Sequence, residues 1–132
     1  MNGETNLERL IKGMTPVLNE GEYVFVTVKS VEKISKQEIV CEFKEKEGIS
    51  VILKKETADK LNLSYSFVSA WITLEIPSSL SAVGLTAAFS TELAKHDISC
   101  NVIAGYYHDH IFVDVKGKNK AVRVLKELSE SY

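Results

Sequence analysis

Two histidines flank an aspartate at His108-Asp109-His110, inside the stretch CNVIAGYYHDHIFVDV at residues 100–115. Residues of these types serve as metal ligands and as acid–base groups. In an extended strand His108 and His110 project to one side and Asp109 to the other. That pair supplies two ligands, whereas a tetrahedral metal site needs three or four. The remaining histidine, His96, falls at the end of a helical pattern. A base oriented by Asp109 is no better supported, since neighbours on a strand point apart and no activated Ser or Cys stands out. The stretch reads as a hairpin corner, in which Gly105 bends the chain and Asp109 accepts turn N–H groups. A ligand or interface contact and a metal site are the other readings. No catalytic residue, metal ligand set or cofactor is assigned.

A second candidate is the turn PSSLSAVGLTAAF at residues 77–89. It joins a strand pattern to a helix pattern. A helix N-terminus offers unsatisfied N–H groups and a partial positive charge, which suit a carboxylate. Gly84 lets a ligand or a neighbouring strand come close to the backbone. With no Lys or Arg in the turn, a small zwitterion fits better than a phosphate. Asn101, opening a neighbouring strand, has both a donor and an acceptor to offer. The alternative is plain capping, by Ser78, Ser79 or Ser81, and a tight helix–strand contact.

These residues must be positioned by patterned elements. Leu7, Leu10, Ile11 and Met14 recur at helical spacing, and Thr15-Pro16 is read as the stop. Strands are expected at 21–28, on either side of a KEKEG hairpin tip with Ile39, Cys41 and Phe43 alternating, and at 67–76. A short helix with Ala58 and Leu61 inward precedes the last of these. After the serine turn come a helix with Leu85, Ala88, Phe89 and Leu93 buried, strands ISCNVIAG and HIFVDV, and a helix burying Ala121, Val124, Leu125 and Leu128.

The two halves share an order. Ile49, Val51 and Leu53 match Ile111, Val113 and Val115 at an offset of 62, but Val24 matches Ala70 at 46. The second copy is thus longer by about 16 residues, roughly one four-turn helix with its entry. The expected fold is α+β, antiparallel-type sheets with helices on one face. The opposite sheet face carries Trp71, Thr73, Asn101, Ile103, His110 and Phe112, too apolar for open water and too polar for a core. Trp71, Ile103 and Phe112 are its candidate interface residues, against the other module, a second copy of the chain or a ligand.

The bulk numbers set limits. The 132 residues are 45% apolar with a net charge of −2, enough for a core and without the basic face of a nucleic-acid binder. The polar, acidic MNGETNLERL is unlike a secretion signal, and no apolar run reaches a membrane-spanning length. Cys41 and Cys100 lie far apart, which reads as free thiols in a reducing, cytoplasmic setting.

The segment SSLSAVGLTAAFSTELAKHDISCNVIAGYYHDHIFVDV resembles the ACT-domain family, and GEYVFVTV, EGISVIL and AWITLEI extend the likeness over almost the whole chain. More narrowly, the chain is similar to small bacterial duplicated-ACT proteins, related in fold to the arginine-sensing CASTOR proteins. The resemblance implies ferredoxin-like β-α-β-β-α-β modules in tandem: a degenerate module at 1–66, with its first helix missing and an extra N-terminal helix, and a fuller one at 67–132. It implies a non-catalytic regulatory protein that binds a small molecule, an amino acid in most members, at the first strand-to-helix loop near a module or subunit interface. By position the site falls on Ser79, Ser81, Val83, Gly84 and Leu85, with Asn101 and Val102 from the next strand. Many members carry an acidic residue where Ser81 stands, so a ready ammonium partner is missing. A homodimer is the expected assembly, with no nucleic acid or membrane partner. An interaction module without its own ligand is the alternative function, and a metal enzyme using His108 and His110 the third.

Overall fold

The computed structural model describes residues 6–76 and 80–132. The described chain falls into two compact units, one of residues 21–69 and one that joins the N-terminal segment through Glu20 to residues 70–132.

In the 21–69 unit, β2 (Tyr23–Val28) pairs antiparallel with β4 (Ile49–Lys54), and β4 with β3 (Ile39–Lys44). Tyr23 and Val24 also pair with Ser69 and Val68, where the Ser69 hydroxyl donates to the Tyr23 carbonyl at 2.8 Å. Alternation puts Val24, Val26, Val51 and Leu53 on one face, where Ala58 of α2 (Lys55–Lys60) and Ile34 complete a small core. Only a 3-10 turn, Lys36–Glu38, stands before β3 where a module of this kind would carry its first helix.

Two details differ from the sequence pattern. A register shift between Ile39 and Cys41 breaks the alternation, so Ile39 pairs with Leu53 but Cys41 with Ile52, and Phe43 is left 69% exposed. Leu61 does not turn inward, because α2 ends at Lys60. Asn62 adopts a left-handed φ of 56°, its N–H reaches the Asp59 carbonyl and the Leu63 N–H reaches that of Ala58. This C-terminal cap swings Leu63 onto the core in place of Leu61.

The other unit holds the larger core. β5 (Val68–Glu75) presents Ala70, Ile72 and Leu74, all fully buried. Against them pack Leu85, Phe89 and Leu93 of α3 (Leu85–Lys95) and Ala121, Val124 and Leu125 of α4 (Lys118–Glu130). β6 (Asn101–Ala104) pairs antiparallel with β7 (Asp109–Asp114), and β7 lies beside β5.

The far edge of β5 is taken by β1 (Thr15–Leu18), antiparallel, with Thr15 opposite Glu75 and Leu18 opposite Ile72. The sequence reading takes Thr15-Pro16 for a helix stop alone; the helix stops at Gly13 and the chain goes straight into this strand. Pro16 is tolerated because β1 is an edge strand. Just before it, Leu10 and Ile11 of α1 (Leu7–Lys12), and Met14 between α1 and β1, enter the same core, each at most 3% exposed. Fully burying a side chain of this size contributes about 1.5–3 kcal/mol. The N-terminal segment is therefore built into the sheet and core of the unit whose other residues begin at Ala70.

Leu10→Ala should lower unfolding stability by about 2–5 kcal/mol in urea denaturation, as for a core cavity. Leu61→Ala, at a position 37% exposed, should stay within about 0.5 kcal/mol.

Candidate functional site

Helix α3 begins without a side-chain cap. Its N-cap residue is Gly84, at φ 97° and ψ −15°, a conformation that costs other residues strain. Of the serine caps expected from the sequence, Ser81 lies three residues before this N-cap, and Ser78 and Ser79 fall outside the described residues. Gly84 also permits a close approach, made from within the chain. A Cβ there would meet Leu7 Cδ2 at 3.2 Å, so the N-terminal helix leans on the turn.

The first turn of α3, whose N–H groups have no intrahelical acceptor, borders a recess of about 100 Å³ lined by Leu80, Ala82, Leu85, Thr86, Ala104, Gly105 and Asp109. The residue that gives this recess its chemistry is Asp109. It shares its parity on β7 with the buried Ile111 and Val113, so its carboxylate points to the helix side of the sheet. Burial pushes that carboxyl above the ordinary carboxylate range, with a smaller opposing pull from His110. A partly desolvated carboxylate thus stands across a small space from a helix N-terminus, which gives the recess a negative and a positive wall.

The sequence reading places Asp109 in the hairpin turn as an acceptor. The turn is closed instead by the backbone, Gly105 N–H donating to the His108 carbonyl at 2.9 Å. A Cβ on Gly105 would sit 2.8 Å from that carbonyl oxygen, so a close approach accounts for this glycine. The signal that could have found Asp109 is its period-two relation to Ile111 and Val113.

The other expected site residues are spread around this recess. Leu85 lines it and is 4% exposed; Val83 stands on the turn, 83% exposed. Asn101 and Val102 lie at the start of β6, opposite Phe112 and Ile111, and Ala104 and Gly105 reach the recess instead. The Asn101 side-chain amide donates to the Phe112 carbonyl at 3.2 Å, tying β6 to β7.

On the other sheet face, Phe112 is 1% exposed and Trp71 stacks over it at 6.0 Å. The chain itself covers Phe112, while Trp71 and Ile103 are half-buried. Trp71 Nε1–H donates to His110 Nδ1 at 3.0 Å. His108 Nδ1 is buried without a partner, and among the described residues no group of three His, Cys, Asp or Glu could hold a metal ion. Cys100 is no nucleophile at neutral pH, since burial pushes its thiol up to about 11.

The ACT domain family matches the chain twice in succession, over residues 2–70 and over residues 66–127. The chain belongs to the ACT-domain family. Read as an ACT module, β5, α3, β6, β7 and α4 follow the β-α-β-β-α order, and β1 takes the edge of β5 that the closing strand of a ferredoxin-like sheet would occupy. A regulatory role in small-molecule binding goes with the family.

Among solved structures, a Vibrio cholerae protein of unknown function, described as a possible transport protein, is similar at 44% identity with a TM-score of 0.84, over 93% of this chain and 95% of its own. The ligand-free regulatory subunit of aspartate kinase from Thermus thermophilus shares the fold at 8% identity and a TM-score of 0.61, over 86% of this chain and 95% of its own. The aspartate kinase of Clostridium acetobutylicum does so at 11% and 0.60, over 91% of this chain and 35% of its own. No curated protein matches the sequence. No helix among the described residues is long and apolar enough to cross a membrane.

Asp109→Asn separates a ligand carboxylate from a structural cap. The raised carboxyl means that charge on Asp109 costs the folded protein stability above its folded pKa, a cost relieved as pH falls through that value. The variant should melt at or above the temperature of the parent at pH 7. A clear drop would make Asp109 a cap of the fold.

Proposed function

We propose that the protein is a non-catalytic sensor of a small amino acid, held in the recess between the first turn of α3 and Asp109. The observation that carries this reading is the pairing of a free helix N-terminus with a partly desolvated carboxylate across about 100 Å³. A zwitterion presents its carboxylate to the Leu85 and Thr86 N–H groups and its ammonium to Asp109, the partner missing at Ser81. The recess is smaller than the ~300–1,000 Å³ typical of ligand pockets. It therefore holds the charged head, and the ligand side chain leaves past Leu80, which is 70% exposed. Ser81, Val83 and Gly84 belong to the turn on this reading, Ser79 lies outside the described residues, and Asn101 and Val102 begin the neighbouring strand β6.

Along the sequence we assign two ACT modules, 1–66 and 67–132, the first lending α1 and β1 to the second. A homodimer goes with this assignment. Leu80, Val83, Tyr106 and Tyr107, each more than 60% exposed, are apolar residues on the turn and on the hairpin beside the recess, and a second copy would cover them.

A thermal-shift screen of the twenty amino acids, run with light scattering, tests the reading. A cognate amino acid at a hundredfold excess over Kd should add about 2.7 kcal/mol of stability. That gain should disappear in Asp109→Asn. No shift with any amino acid at millimolar concentration would sink amino-acid sensing.

A further inference from the structure

The outer sheet face of the second unit carries a hydrogen-bond network that ligand binding does not use. His110 Nδ1 lies 3.0 Å from Trp71 Nε1 and 3.1 Å from Thr73 Oγ1. Thr73 Oγ1 in turn accepts from the Asn19 side-chain amide at 2.9 Å, and that amide also donates to the Trp71 carbonyl at 3.2 Å. The network joins β5 and β7 to the residue that follows β1.

An indole N–H can only donate, so His110 Nδ1 must present a lone pair to Trp71. The neutral ring therefore keeps its proton on Nε2. If Nδ1 takes a proton, two N–H groups face each other across 3.0 Å and the bond to Trp71 is lost. Thr73 Oγ1 is a ready replacement. A hydroxyl oxygen has two acceptor lone pairs, and Asn19 occupies one of them.

We propose that His110 is an acid-driven two-position latch: neutral, it accepts from Trp71; charged, it releases Trp71 and donates to Thr73. The released indole then loosens over Phe112, the residue it stacks on, and uncovers the apolar centre of this sheet face. The charged groups acting on His110 are His108, on the same face of β7, and Asp109, its neighbour on the strand. From β5 it faces Trp71 and Thr73, and from the hairpin Gly105, none of which is charged. Burial first, and His108 second, hold the ring below the ordinary imidazole range, while Asp109 pulls weakly the other way. A histidine whose pKa is lowered on folding costs stability as pH falls from about 6.5 toward the folded value. The latch itself opens as pH falls through that folded value, where the native ring takes its proton.

Trp71 is the sole tryptophan of the chain, so its fluorescence reads the latch directly. A titration from pH 8 to 5 without ligand should show one transition with its midpoint below 6.5, at constant far-UV circular dichroism. His110→Asn should abolish the transition. His108→Asn should move it to higher pH by removing a like charge. Thr73→Val should move it to lower pH by removing the acceptor of the charged ring. Because Trp71 reports without ligand, these results are independent of amino-acid sensing. A flat wild-type titration, a transition that survives His110→Asn, a midpoint unmoved by Thr73→Val, or loss of circular dichroism in step with the fluorescence would each overturn the latch.

Discussion

The pairing of β1 with β5 is the constraint on which the second unit rests. A sheet whose central strand lacks a neighbour leaves a row of N–H and C=O groups unpaired. In this chain the neighbour comes from residues 15–18, more than fifty positions upstream. α1 comes with it, and Leu10 and Ile11 of that helix together with Met14 join a core otherwise drawn from residues 70–125. Leu7, at the start of α1, rests on Gly84, and Asn19, just past β1, bonds Thr73 and the Trp71 carbonyl. One N-terminal segment thus closes the sheet, fills the core, supports the candidate ligand turn and anchors the polar network of the outer face.

Much of this was legible in the sequence because burial imposes a period. The helical spacing of Leu7, Leu10, Ile11 and Met14 and the alternation of Ala70, Ile72 and Leu74 both correspond to buried faces. Surplus length between repeat positions anticipated α3 in one half and its absence from the other. β1 was not legible, because four residues with a proline carry too little alternation to register as a strand. Leu61 and Phe43 failed for a local reason: a helix cap at Asn62 and a register shift after Ile39 reset the phase that a pattern assumes to be continuous. Asp109 was hidden by its neighbours. Two histidines suggested metal or turn chemistry, and the parity it shares with Ile111 and Val113 was the quieter clue.

The ACT fold explains why a chain with so little reactive chemistry can still recognise a molecule. On the proposed reading, recognition uses a helix N-terminus, a carboxylate that burial has partly stripped of water, and the glycine turn that precedes the helix. Desolvation makes the Asp109 charge costly to the fold, a cost that a cation beside it would offset. His108 and His110, the residues that first suggest a reactive centre, lie on the opposite sheet face, where His110 joins Trp71 and Thr73 in holding β5 to β7.

Native-state hydrogen exchange of the α1 and β1 amides tests the central claim most directly, since an N-terminal segment would ordinarily fray. If this segment is integral to the second unit, its amides open with the same free energy as those of Ile72, Leu74 and Phe89. Exchange of α1 and β1 orders of magnitude faster than that core, with Ile72 and Leu74 still protected, would contradict the account.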